Sequence, residues 1–213
     1  MIAPKTIEQL LAFDPLAPLQ SAIVATITTL NPGLNVVKHP GKVDLSELIG
    51  KTVVKAPGVG IGWSRIREAQ MADGHFNLLV DWVAYIVCEA KSVNNRRVEK
   101  EAMALAIGAR LLTILADDIA ATWNRTGVYP PESTPPAEMK PLFTVRDQAQ
   151  GMAYYTVTWT QIVADLGESV FPEHVGRYTE EGGVTGVIGY DDAADIDDLA
   201  PWIPAQEEEP DNG

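Results

Sequence analysis

With 213 residues, 46% of them apolar, and a single cysteine, the chain is long enough for one ordinary domain with a sizeable core and excludes an internal disulfide framework. Its net charge of −13 is uneven: from Glu180 onward there are 11 carboxylates and no Lys or Arg, which leaves 18 acids against 16 bases, or −2, over the first 179 residues. A near-neutral body with a solvated acidic tail argues against a broad basic nucleic-acid surface. The sequence also shows neither a run of roughly 18 apolar residues for a membrane span nor the basic and apolar regions of a signal peptide.

Ile7, Leu10 and Leu11, then Leu16, Leu19, Ile23, Ile27 and Leu30, recur at spacings of three and four, an apolar helical stripe. Pro15 and Pro18 interrupt it early. Proline is tolerated in the first turn of a helix but not in its interior, so the spacing predicts a short lead-in and then a helix over 18–30, stopped by Asn31, Pro32 and Gly33. Residues 34–38 read as a short strand, His39, Pro40 and Gly41 as a turn, and residues 44–50 as one helical turn capped by Asp44. A further strand falls on either 51–56 or 59–63. Gly58, Gly60 and Gly62 match no phosphate-binding loop, because their spacing is G-x-G-x-G and no Lys-Ser or Lys-Thr follows; a strand that lets another backbone come close is the better reading. Residues 64–74, with Arg65, Arg67 and Glu68, read as a loop or the tip of a long hairpin.

The next strand is the most informative stretch. Phe76, Leu78, Val80, Trp82, Ala84, Ile86 and Cys88 occupy one parity, which places them on one face of a sheet. The other parity is polar near both ends but apolar at Val83, Tyr85 and Val87, so the second face also needs cover, from a partner layer or a neighbouring subunit. At about 3.3 Å per residue the strand extends roughly 45 Å. Cys88, inside the alternation, reads as a buried, inert thiol suited to a reducing cytosol. A turn over 94–97 leads into a helix with Met103, Ile107, Leu111, Ile114 and Leu115 at helical spacing and a length of roughly 30 Å. The proline-rich stretch 124–141 reads as an exposed loop. Residues 152–166 alternate again, with Ala153, Tyr155, Val157, Trp159 and Val163 opposite Tyr154, Thr156, Thr158 and Thr160, and form a strand.

These elements predict an α+β fold: an antiparallel or mixed β-sheet of about four strands packed by two α-helices over residues 1–167. Residues 168–213 read as a glycine-rich, acidic and largely irregular extension, in which Trp202 and Ile203 form an apolar pair able to anchor on a neighbour. Signals for chemistry are weak. His39, His75 and His174 lack ligand spacing, and Ser64 and Ser169 lack a nucleophile-elbow context. Asp191, Asp192, Asp195, Asp197 and Asp198 are spaced as magnesium or calcium ligands are, yet lack the glycine and terminal glutamate of a calcium loop and read as a solvated acidic segment. No catalytic residue, metal or cofactor is expected.

Several segments together resemble the tail-terminator-like proteins of Mu-like bacteriophages. They are the helix ending in Asn31-Pro32-Gly33-Leu34, the Ala56-Pro57 strand entry, the Trp82-Val83-Ala84-Tyr85-Ile86-Val87 strand, the Arg96-Arg97 turn before an alanine-rich helix, and the closing strand from Tyr154 to Thr160. The resemblance spans residues 16–166. It implies a structural virion protein, assembled in the host cytoplasm, that forms a homo-oligomeric ring, generally a hexamer, on the head-proximal end of the tail tube. There it ends polymerisation of the tail tube protein and presents a surface to the neck or head–tail connector protein, with no membrane and no sequence-specific nucleic-acid partner. The acidic extension has no counterpart in that family. Arg65, Arg67, Arg96 and Arg97 read first as parts of a solvated loop and turn; the alternative is pairing with acids on a neighbouring subunit or virion protein, since arginine suits interfacial carboxylates, and with Trp202 they are the candidate interface residues. Two further readings are a head–tail adaptor or head-completion protein, and an enzyme using the aspartate cluster with a divalent metal.

Overall fold

The structure is a computed structural model that describes residues 4–41, 54–67, 70–72, 75–142 and 151–164, and the strands Arg177–Tyr178 and Val184–Thr185. The chain divides into two units, Met1–Glu168 and Ser169–Gly213. In the first, helix α1 (Ile7–Ala12) and helix α2 (Leu16–Leu30) precede strands β1 (Asn35–Lys38), β2 (Gly58–Ile66), β3 (Gln70–Ala72), β4 (His75–Glu89), β5 (Lys91–Val93) and β6 (Arg96–Val98). Helix α3 (Lys100–Leu115), a 3-10 turn (Ala120–Thr122), β7 (Glu138–Pro141) and β8 (Met152–Val163) follow. In the second unit β9 (Arg177–Tyr178) pairs antiparallel with β10 (Val184–Thr185). The helical turn expected over 44–50, Trp202 and the aspartate cluster lie outside the described residues.

The main sheet runs β1-β2-β4-β8-β7, with β3 paired to the start of β4. It is mixed: β1 is parallel to β2, and the remaining pairs are antiparallel. The α+β class with helices on a mixed sheet is as expected, but the sheet has six strands rather than about four. The two extra strands are short, and their proline-rich or polar surroundings hid them. β7 ends at Pro141 on the sheet edge, the position where a residue without an N–H is tolerated. The turn before α3 also differs. Asn94 and Asn95 alone make it, both at positive φ (51° and 59°), as a two-residue hairpin turn requires, and Arg96 and Arg97 stand on β6.

One face of the sheet carries the main core. Val80, Trp82, Ala84, Ile86 and Cys88 of β4 pack with Leu19, Ile23 and Ile27 of α2 and Ala104, Leu111, Ile114 and Leu115 of α3. Each fully buried aliphatic side chain here contributes about 1.5–3 kcal/mol. Burial pushes the Cys88 thiol up to about 12. Pro18 lies in the first turn of α2, where its missing N–H has no intrahelical partner to lose, and the Asp14 carboxylate accepts from the N–H of Leu16 at 2.8 Å. By length and composition Ile7–Leu30 is sufficient to cross a membrane, against the expectation from uninterrupted apolar runs. The segment is nonetheless broken between α1 and α2, and the stripe of α2 is spent on the sheet.

The opposite face of β4 decides between the two covers that the sequence left open. Val83, Tyr85 and Val87 are closed off within the chain, in a cluster with Val54 and Tyr154 flanked by Val37, Ala56, Leu142 and Met152. Glycine makes this possible. Gly58, Gly60 and Gly62 stand opposite Val87, Tyr85 and Val83, and described residues between β1 and β2, among them His39, Gly41, Val54 and Lys55, lie close against them. A Cβ on Gly58 would meet backbone oxygens of Lys55 and Asn35, and one on Gly62 would stand 3.2 Å from the Gly41 oxygen. The G-x-G-x-G strand is therefore a bed for closely approaching backbone. His39, 4% exposed, caps the cluster, with Nδ1 2.7 Å from the Gly41 oxygen and its ring edge-on to Tyr85 at 5.4 Å.

Gln161 is the largest polar side chain among the most deeply buried residues, and it was not legible in the sequence. Its Oε1 accepts from the indole N–H groups of Trp123 (2.8 Å) and Trp159 (2.9 Å), and its Nε2 donates to the carbonyls of Ala121 (2.7 Å) and Tyr129 (2.8 Å). All four hydrogen-bonding positions of the carboxamide are filled. This hub holds Trp123 in a left-handed conformation (φ 57°) and ties the segment after α3 to β8. A non-glycine residue there costs about 1–2 kcal/mol, which the hub offsets.

Two stability outcomes follow from this core. Gly58→Ala should destabilise the protein by about 1–3 kcal/mol, because backbone atoms rather than a yielding side chain oppose the new methyl group; a denaturant midpoint equal to that of the wild type would contradict the close backbone approach. Gln161→Leu should cost about 3–5 kcal/mol, since it strands two indole N–H groups and two carbonyls in the core; a loss below about 1 kcal/mol would show that these groups find other partners.

Candidate functional site

Toward its N-terminal end, the second face of β4 turns from apolar to charged. After a register shift between Trp63 and Arg65, Arg65 stands opposite Asp81. The Asp81 carboxylate accepts from Arg65 Nε at 2.7 Å, from Arg67 Nη2 at 2.8 and 3.2 Å, and from the Thr160 hydroxyl at 2.7 Å. Its side chain is 14% exposed, against 65% for Arg65 and 34% for Arg67. Burial alone would raise its pKa, but the Thr160 hydrogen bond and the two guanidinium groups together outweigh that and hold it below the usual carboxylate value of 3.8.

These residues line a cleft of about 220 Å³, walled on the other side by Pro135, Pro136 and Glu138. The lining holds two guanidinium groups and two carboxylates, with both arginines on Asp81 and the Glu138 carboxylate paired with Lys140. Arg65 spends only Nε and Arg67 only Nη2, which leaves most of the donors of each fork unfilled. Sequence reasoning left Arg65 and Arg67 between a solvated loop and an acid on a neighbouring molecule; both pair instead with Asp81 of the same chain. An acid next to the apolar run of Val83, Tyr85 and Val87 on the same parity was the available signal for Asp81, which pairs directly with Thr160 on the neighbouring β8.

Arg96 and Arg97 lie elsewhere, on the two-stranded β5–β6 hairpin, whose residues are exposed over Lys91–Val93 and at both arginines. Arg97 pairs with Glu99 at 2.9 Å, where both side chains are largely solvated and the pair is worth well under about 1 kcal/mol. The structure does not bring these two arginines into the cluster formed by Arg65 and Arg67.

Helix α1 is the surface that sequence reasoning assigned to an apolar stripe without asking what covers it. It has no buried residue, and Ile7, Leu10, Leu11 and the following Phe13 are 74, 56, 72 and 65% exposed. Ile7, Leu10 and Leu11 share one stripe. Thr6 and Gln9 form a reciprocal capping box, and Lys5 Nζ stands 5.4 Å above the Phe13 ring. Six residues with caps but no tertiary burial are too few for a stable isolated helix. Compared with known proteins, the chain matches no family model, and no curated protein matches it.

The Asp81 cluster sets a pH dependence. Because its folded-state pKa lies below the unfolded one, its stabilisation is complete well above pH 4 and is lost as the pH falls through the folded value. Asp81→Asn should lower stability at pH 7 by about 1 kcal/mol, after discounting for the exposure of Arg65, with the gap to the wild type closing in acid. Thermal unfolding from pH 7 to pH 2.5 checks this, and a gap that stays constant or widens in acid would contradict it.

Proposed function

We propose that this protein is a structural subunit that closes into a homo-oligomeric ring, as a tail-terminator or tail-completion protein capping the head-proximal end of a phage tail tube and facing the neck. The observation that carries self-association is α1: four large apolar side chains stand in solvent on a helix that its own domain does not hold. Exposed apolar clusters of this size on a soluble surface mark interaction sites. The capping role rests on the resemblance across residues 16–166, and the α+β class read from the periodicity of the sequence is the class this chain has. A central strand of 15 residues and a projecting β5–β6 hairpin supply further surface for lateral and axial contacts. Such a role needs matched surfaces and no chemistry.

Native mass spectrometry and negative-stain images of the purified protein at about 10–100 μM should give a closed ring, and adding it to polymerising tail tube protein should fix tube length. Monomer alone across that range, with tubes of unchanged length, would contradict the reading.

A further inference from the structure

Closed rings are built from heterologous contacts, in which a donor patch on one copy meets a different acceptor patch on the next. The outward side of α3 has the form of an acceptor. Ala102, Ala106 and Arg110 make one row at i, i+4 spacing, Leu105, Ala109 and Thr113 make the row beside it, and all six are exposed. Leu105 is 54% exposed, and the Thr113 hydroxyl donates back to the Ala109 carbonyl at 2.9 Å. Arg110 is the one charge in the two rows and has no ion-pair partner among the described residues, while Glu101 on the neighbouring flank is paired with Lys100 at 3.8 Å.

Resting on the ring reading, we propose that α1 of one copy packs antiparallel on this side of α3 in the next, with Glu8 paired to Arg110. Helix α1 has the complementary pattern: Ile7 and Leu11 make one exposed row, and Glu8 and Ala12 make the row beside it. The Glu8 row follows the Ile7 row in the same rotational sense as the Ala106 row follows the Leu105 row, and antiparallel packing brings flanks of like sense together. With Glu8 level with Arg110, the helical rise sets Ala12 level with Ala106. It also sets Leu11 in the gap between Leu105 and Ala109, and Ile7 in the gap between Ala109 and Thr113. Large side chains on one helix thus meet alanines on the other, and the two axes can approach closely.

The placement of charge selects this acceptor over the other exposed apolar side chains. Ile119, 86% exposed, adjoins Asp117 and Asp118, which repel Glu8. Trp63 and Ile66 pair with Trp82 and Val80 on the helix-covered face, away from Arg65 and Arg67. On the β5–β6 hairpin Arg96 stands directly opposite Val93, so an apolar stripe laid there would bury a charge at its centre. Arg110 instead lies at the rim of its patch, where a guanidinium stays partly solvated and still reaches a carboxylate.

Variants at exposed positions test the docking on the full chain. Leu11→Asp disables the donor and keeps the acceptor. Ala109→Glu puts a bulky acid between the acceptor rows while keeping a good helix former, with Ala106→Glu in its place should Ala109→Glu unfold. Sedimentation velocity should show each variant alone weakened about tenfold or more in self-association, and a mixture of donor-dead with acceptor-dead protein should form 1:1 pairs and nothing larger. Glu8→Arg should weaken assembly alone and recover it when combined with Arg110→Glu. The docking is overturned if either the donor or the acceptor variant assembles as the wild type does, if the mixture of folded variants stays monomeric, or if Arg96→Glu rather than Arg110→Glu rescues Glu8→Arg. A wild type that never assembles overturns the ring reading as well, so the two failures are distinguishable.

Discussion

A strand with apolar side chains on both parities has to be covered on both faces, and the rest of this domain is arranged to satisfy β4. The side carrying Val80, Trp82, Ala84 and Ile86 takes α2 and α3. The side carrying Val83, Tyr85 and Val87 is closed by Val54 and Tyr154, with Val37, Ala56, Leu142 and Met152 around them. Glycines on the neighbouring strand leave room for this cover, with backbone of Lys55 and Asn35 close to Gly58, the Val54 side chain close to Gly60 and backbone of Gly41 close to Gly62.

The same strand divides its second face by polarity. Beyond Val83, Asp81 replaces the apolar series, and Arg65, Arg67 and Thr160 gather around it. Satisfying a partly buried carboxylate therefore gathers Arg65 of β2 and Arg67 just beyond it on this face, while Trp63 and Ile66 pair with Trp82 and Val80 of the helix-covered side. Gln161 does the corresponding work on the helix-covered face, where four hydrogen bonds fix the segment after α3 against β8. Trp82, stacked on Trp159 at 6.5 Å, adds apolar area there.

What the sequence made legible was what periodicity encodes. The alternation through residues 76–89, the helical spacing of Leu111 and Leu115, and the turn proline rules gave the class, the order of the long elements and the buried thiol. The G-x-G-x-G spacing foretold a close backbone approach. Contacts that no period records stayed hidden: Gln161 reads as one more polar residue in a strand, Asp81 as a break in a pattern, and β7 as part of a proline-rich loop. The cover of Val83, Tyr85 and Val87 stayed open between a layer of the same chain and a neighbour, because the arrival of Val54, Ala56 and Leu142 over their face depends on tertiary topology, which local alternation cannot express. The stripe of α1 failed in the other direction: the same spacing that buries α2 leaves α1 in solvent, since Pro15 and Asp14 separate the two helices and only α2 reaches the sheet.

The domain thus closes its own core on both faces and still leaves the apolar side chains of a short, well-capped helix exposed, a cost that the proposed association with another copy would remove. Hydrogen exchange of the α1 amides measured across protein concentration probes this most directly, because the N–H groups of Leu10 and Phe13 bond only within the helix, to the Thr6 and Gln9 carbonyls. Their protection should rise steeply with concentration while the amides of β4 stay protected throughout. Rapid exchange in α1 at every concentration, with β4 protected, would mean that nothing covers the helix and that self-association does not run through it.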